Sequence, residues 1–176
     1  MQHTSEISAK SALKALYLNT RGFVLNTSAL FFPGKKTAPS PERIKSILFI
    51  RVDRVGDMVL STPVLRAIKD ALPKVHLTVM ASPANASVLK NNPDVDDVTV
   101  YDRFAGLYEK IRFIKRLRLK HFSLAIDPYN DYELKTACLA AMSGADHRIG
   151  YAAFGREIFF NSSAPIVDEG KHFVDV

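Results

Sequence analysis

Between residues 47 and 71 one hydrophobic pattern gives way to another. Ile47-Leu48-Phe49-Ile50 is a continuous apolar run, short, partly β-branched and bounded by polar residues. It predicts a strand buried on both faces of a parallel sheet. Leu60, Val64, Ile68 and Ala71 then recur at helical spacing, with Arg66, Lys69 and Asp70 off that face, which predicts an amphipathic helix packed through the apolar four. The alternation continues downstream. His76–Ala81 reads as a strand, Ala84–Lys90 as a short helix, Val98–Tyr101 as a strand and Leu107–Leu119 as a helix. Phe122–Ile126 reads as a strand ended by Asp127-Pro128, and Asp131–Met142 as a helix closed by Gly144 as its C-cap. Arg148–Tyr151 makes a short strand and Ile158–Phe160 a weaker one. This order predicts an α/β fold with a doubly wound parallel sheet.

The turn between the first strand and helix carries the densest chemistry. In open α/β folds that position lies at the carboxyl edge of the sheet, where ligands bind. Neither G-x-G-x-x-G nor G-x-x-x-x-G-K is present, so a glycine cradle for a dinucleotide or nucleoside triphosphate is not encoded. Charge stands in its place: Arg51, Asp53, Arg54 and Asp57. A structural role has Gly56 making the turn and Asp57 capping the helix. Capping needs one small polar residue, however, and four charged ones exceed that need. Two arginines and a helix N-terminus favour the anionic form of Asp57. A carboxylate so placed can accept a proton from a hydroxyl, as a general base does.

Composition bounds the rest. The 176 residues, 47% of them hydrophobic, suit one domain of ordinary size with a proper core. Cys138 lies in an Ala/Leu-rich segment and reads as packed; a lone cysteine makes no internal disulfide and fits a reducing compartment. His3, His76, His121, His147 and His172 lack metal-ligand spacing, so no zinc site is predicted. Charge is uneven: residues 1–45 hold seven Lys or Arg against two Glu, which is +5 of the chain's +6. Pro33-Gly34 and Pro39-Ser40-Pro41 mark this segment as an extension with a linker, the core domain running over residues 46–176. Within it Ala9, Leu13, Leu16, Tyr17 and Thr20 sit at helical spacing, and Leu30-Phe31-Phe32 adds apolar bulk. The apolar runs fall short of the roughly 20 residues that span a bilayer, and a secretory signal does not fit. Basic charge beside apolar bulk predicts an interfacial segment on an anionic leaflet; the alternative is a helix docking on another domain or partner.

Two further constellations lie downstream. Residues 107–120 carry Lys110, Arg112, Lys115, Arg116, Arg118 and Lys120 against Glu109 alone. This reads as a solvated face on a helix packed through Leu107, Ile111, Ile114 and Leu117, or as a flank for an acidic acceptor, which the arginine fork suits. Nucleic acid is excluded, since neither interleaved stacking aromatics nor a known module is present. Asp127, with Asn130 and Asp131, ends a strand on the same edge as Asp57. Asn130 or Asp131 is expected to cap the next helix, and Asp127 to contact acceptor hydroxyls. A receiver-like Mg²⁺ pocket built from Asp53, Asp57 and Asp127 needs paired acids directly after the first strand and a lysine after the fifth; Arg54 between the acids and Arg148-Ile149-Gly150 in the fifth strand fit it poorly.

From Arg51 to Ala67 the chain reads R-x-D-R-x-G-D-M-V-L-S-T-P-V-L-R-A, and Thr78–Asn85 (TVMASPAN), Asn92–Tyr101 (NPDVDDVTVY), Phe122–Asp127 and His147–Tyr151 (HRIGY) follow in order. These segments resemble glycosyltransferase family 9, the ADP-heptose:lipopolysaccharide heptosyltransferases, from about Lys45 onwards. The resemblance implies the N-terminal, acceptor-side Rossmann-like half of a two-domain GT-B enzyme. It implies inverting transfer of a heptose from an ADP-sugar to the lipopolysaccharide inner core, without a metal or other cofactor. Asp57 falls on the family's catalytic base, with Arg51, Asp53, Arg54, Gly56 and Asp127 as substrate-binding positions. The family's second domain is expected to be missing, its ADP-sugar site with it, leaving the isolated chain inactive. The implied partners are a lipopolysaccharide-precursor glycolipid and an anionic membrane, on the cytoplasmic face of the inner membrane. The alternative is a non-catalytic remnant that binds acceptor glycolipid or membrane.

Overall fold

The structure, a computed structural model, describes residues 39–131, 133–152 and 155–165. Most of the basic extension expected over residues 1–45 therefore lies outside the described residues. From Ser46 onwards strands and helices alternate: β1 (Ser46–Arg51), α1 (Val55–Ala71), β2 (His76–Ala81), β3 (Asp97–Val100), α2 (Leu107–Arg118), β4 (Leu124–Asp127), α3 (Lys135–Met142), β5 (His147–Ala152) and β6 (Ser162–Pro165). Single 3₁₀ turns occupy Pro41–Arg43, Ala86–Leu89 and Arg156–Phe159. The strands form one six-stranded sheet in the order β3-β2-β1-β4-β5-β6, and every pairing is parallel. The strand order reverses direction between β1 and β4, so the crevice outside their carboxyl ends is the topological switch point.

Strand periodicity divides the core into two layers. Ile47 and Phe49 face α1, with Met58, Leu65, Leu77 and Val79. Leu48 and Ile50 face the opposite side, with Leu117, Phe122, Ala137 and Leu139. Covered on both faces, β1 is apolar throughout its middle, as a central parallel strand requires. The backbone is held at two points by glycine. Gly144 takes φ +76° just after α3 and meets the expectation of a C-cap there. At Gly150 a Cβ would come within 2.4 Å of the Phe160 ring, so a side chain at this strand position would force the ring to move.

The helices are rotated from the faces that spacing predicted. On α1 the buried residues are Met58, Ser61 and Leu65, while Leu60 and Val64 face solvent. The helix starts at Val55 and runs through Pro63. Proline cannot donate to the Val59 carbonyl, and the Thr62 hydroxyl does so instead, at 2.8 Å. On α2, Leu107 and Ile111 are exposed and Leu117 is buried, with Phe113 and Ile114 packed against the core. Glu109 of its first turn accepts from the Gly106 N–H at 3.1 Å and so caps the helix.

Three boundaries also differ. The expected helix at Ala84–Lys90 is only a 3₁₀ turn, Ala86–Leu89. The expected strand at Ile158–Phe160 lies mostly within the 3₁₀ turn Arg156–Phe159, and the sixth strand is Ser162–Pro165. That strand is on the sheet edge, where serines and a terminal proline are tolerated. α3 begins at Lys135, with no side-chain cap from Asn130 or Asp131. The residues before it are held in an irregular path by Arg156, which takes up the carbonyls of Tyr129 and Asp131.

Candidate active site

The carboxyl end of β1 is pinned before the chain turns into α1. Asn85, wholly buried, donates from Nδ2 to the carbonyls of Arg51 at 3.0 Å and Asp53 at 3.3 Å. Its Oδ1 accepts from the Ser82 N–H at 2.8 Å. From the β4 side, the Tyr129 hydroxyl accepts from the Val52 N–H at 3.2 Å. These bonds tie the ends of β1, β2 and β4 together and hold residues 51–53 in place. Burying an amide as polar as Asn85 is tolerable only when it is satisfied in this way.

Arg51, Asp53 and Asp57 converge on this edge. The Arg51 guanidinium lies 3.4 Å (Nε) from Asp53 Oδ2 and 3.6 Å (Nη2) from Asp57 Oδ1. It also stacks over the Tyr129 ring, 4.9 Å from the centroid. Access to water rises through the group: the side chains of Arg51, Asp53 and Asp57 are 15%, 20% and 38% exposed. Burial raises the Asp53 carboxyl above its ordinary value, against the pull of Arg51. Burial likewise pushes the Tyr129 phenol far up, with the Asp53 charge adding to it, so Tyr129 is a neutral hydroxyl. Asp57 is left as the most open carboxylate, in the first turn of α1 with the helix dipole behind it.

The other predicted positions are placed as follows. Arg54 is the exposed N-cap residue of α1 and makes no side-chain cap bond. Gly56 is within the helix rather than making a turn, and a Cβ there would meet nothing within 4 Å. Asp127 reaches the same edge but faces inward and is 1% exposed. Arg156 Nη2 donates to its Oδ2 at 2.7 Å and contacts Thr136 Oγ1 at 3.3 Å. Nη1 donates to the carbonyls of Tyr129 at 2.6 Å and Asp131 at 2.9 Å. Burial raises the Asp127 carboxyl, opposed by Arg156 and by bonds from the Tyr129 N–H and Thr136. The acceptor-contact role expected for Asp127 has no exposed carboxylate to serve it in this arrangement.

Asn85, Tyr129 and Arg156 escaped the sequence reading. Asn85 lay inside the TVMASPAN segment, which signalled it as part of a pattern but not as a strut. Nothing local distinguishes Arg156 from a surface arginine, because its partners come from β4, the loop after it and the start of α3.

No protein-family model matches the chain. Over 128 residues it is 27% identical to lipopolysaccharide heptosyltransferase 3 of Escherichia coli K12, a match covering 68% of the chain and 37% of that protein. The fold is similar to a family 9 glycosyl transferase from Veillonella parvula, with TM-score 0.62 and 20% identity, covering 77% of the chain and 39% of the other. It is similar also to the E. coli ADP-heptose lps heptosyltransferase II, with TM-score 0.60 and 25% identity, covering 71% and 36%. The chain thus spans well under half the length of each of these relatives. In sequence and in fold the chain is thus similar to part of the family 9, heptosyltransferase-like glycosyltransferases.

Proposed function

We propose that this domain is the acceptor-side part of a heptosyltransferase that transfers heptose from ADP-heptose to the lipopolysaccharide inner core. The observation that carries the reading is Asp57, an open carboxylate held by Arg51 at the switch point of a family 9 sheet. An acceptor hydroxyl there loses its proton to Asp57 as its oxygen forms the new bond to the anomeric carbon. The bond from that carbon to the ADP oxygen breaks on the far face, ADP leaves, and the anomeric configuration inverts. The scheme uses no metal. Arg51 and the exposed Arg54 supply cations for an acidic group of the acceptor. The donor site is assigned to the part of the relatives that this chain does not span, consistent with the missing glycine-rich phosphate cradle in residues 51–57. The acceptor is membrane-borne, which places the enzyme on the cytoplasmic face of the inner membrane with residues 1–45 contributing basic charge.

The test joins this domain to the donor-binding part that its relatives possess and supplies ADP-heptose with an inner-core acceptor. Release of ADP with an inverted product, and a kcat lower by about 10²–10⁴ in Asp57→Asn, is the expected result. Unchanged turnover in that variant contradicts the role given to Asp57. Tight ADP-heptose binding by the 176-residue chain alone contradicts the placing of the donor site.

A further inference from the structure

We propose that the exposed face of α2, with the loop leading into it, docks on an anionic lipid bilayer. The helix packs on the sheet through Phe113, Ile114 and Leu117. Its opposite face is not simply polar. Phe104, Leu107 and Tyr108 are 81%, 76% and 76% exposed, Leu119 is 74% exposed, and Ile111 is 47% exposed. Large apolar side chains gathered on one surface mark an interaction site, whereas scattered ones do not. Between them stand Arg103, Arg112, Lys115 and Arg116. Among the described residues none of these four has a carboxylate within ion-pairing distance. Arg103 lies over the Phe104 ring at 4.6 Å, cation and aromatic side by side.

The interleaving identifies the occupant. α1 also exposes apolar residues, Leu60 and Val64 among them, but its solvent face offers Arg66 against Asp70 and has no net sign. On α2 five Lys or Arg stand against Glu109 alone, a strongly positive balance that calls for an anionic partner. A nucleic acid backbone has no use for exposed Leu107, Ile111 and Leu119. A bilayer satisfies both sets, since aliphatic and aromatic groups enter the acyl boundary while Lys and Arg meet the headgroups. The geometry is consistent with the proposed reaction, on which this part of the inference rests. All strands run parallel, so the loop from β3 into α2 opens on the same sheet edge as Asp57. A bilayer against Phe104 and Leu107 would present a lipid-borne acceptor to that edge.

The chain contains no tryptophan, so Tyr108→Trp in the full chain reports on this helix alone, whatever residues 1–38 do. With phosphatidylglycerol vesicles its emission should shift to the blue and be quenched by brominated acyl chains; pure phosphatidylcholine should do neither. Arg112→Glu with Lys115→Glu in that background should weaken the response by tenfold or more. Leu60→Trp, on the neutral face of α1, should stay unquenched. Leu107→Trp replaces Tyr108→Trp if circular dichroism shows the latter unfolded. Vesicle binding without quenching at position 108 or 107, a response to RNA but not to vesicles, or quenching at position 60 would each overturn the proposal. None of these readouts needs transferase activity, so failure here leaves the assignment of Asp57 standing.

Discussion

Two arginine–carboxylate assemblies sit at the carboxyl ends of neighbouring strands, and water reaches only one of them. At the end of β4, Asp127 and Arg156 are both 0% exposed in their side chains and meet at 2.7 Å. The remaining guanidinium bonds go to backbone carbonyls and Thr136. At the end of β1, Arg51 faces two carboxylates at 3.4 and 3.6 Å, and Asp57 is 38% exposed. Similar functional groups thus do different work. A desolvated pair directs its bonds into the fold, with Arg156 Nε left without a hydrogen-bond partner among the described residues, and has little surface to offer a ligand, whereas a loose, part-exposed pair can exchange its partner for a substrate group. The buried pair holds the loop after β4, including Tyr129, whose ring and hydroxyl support Arg51 and Val52. One assembly is the frame on which the other is mounted.

Breaking the frame should have the largest effect on stability. Arg156→Ala leaves Asp127 buried and unpaired and is expected to cost about 3–5 kcal/mol, read from urea unfolding midpoints. A loss under 1 kcal/mol would show that the pair is not closed to water. Gly150→Ala should cost about 1–3 kcal/mol, because the Phe160 ring occupies the space its methyl needs. Asn85→Ala removes the amide that holds the Arg51 and Asp53 carbonyls and should also cost about 1–3 kcal/mol. Unlike Gly150→Ala, it should lower turnover further than stability alone explains, because residues 51–53 lose their fixed path.

A smaller effect is visible in pH. Desolvation works to raise the Asp96 carboxyl, but its bonds from Lys69 and the Leu77 N–H outweigh this and hold it below its ordinary value. A carboxyl lowered in the folded state adds stability in full above its unfolded value of about 3.9 and loses it as pH falls through the folded value. The stability difference between the parent chain and Asp96→Asn should therefore be constant above about pH 5 and shrink below about pH 4. A difference that grows on acidification would reverse the assigned direction.

The same contrast separates what could be read in the chain from what could not. β1 was legible because a strand covered on both faces must be apolar at successive positions, and Ile47–Ile50 is. Gly144 was legible because a helix ending in the left-handed region selects glycine. The gathering of Arg51, Asp53 and Asp57 was legible because all three lie within one local turn. Helix faces were not, since Leu60 and Leu107 fit the spacing of a buried stripe yet point outward; composition along one helix does not say which neighbour covers it. Arg156 and Asp127 are 29 residues apart in sequence, and only the parallel pairing of β4 with β5 brings them together. Ser162–Pro165 escaped because an edge strand needs no apolar signature.

The most direct measurement sets Asp57→Asn beside Asp127→Asn in the two-domain enzyme and reads both kcat and the urea midpoint. The first should lose about 10²–10⁴ in kcat while its stability stays within about 1 kcal/mol, as a part-exposed pair implies. The second should lose several kcal/mol of stability, with kcat restored where the folded population is restored. Full turnover in Asp57→Asn, or a stability loss there matching that of Asp127→Asn, would contradict the division between an open catalytic carboxylate and a closed structural one.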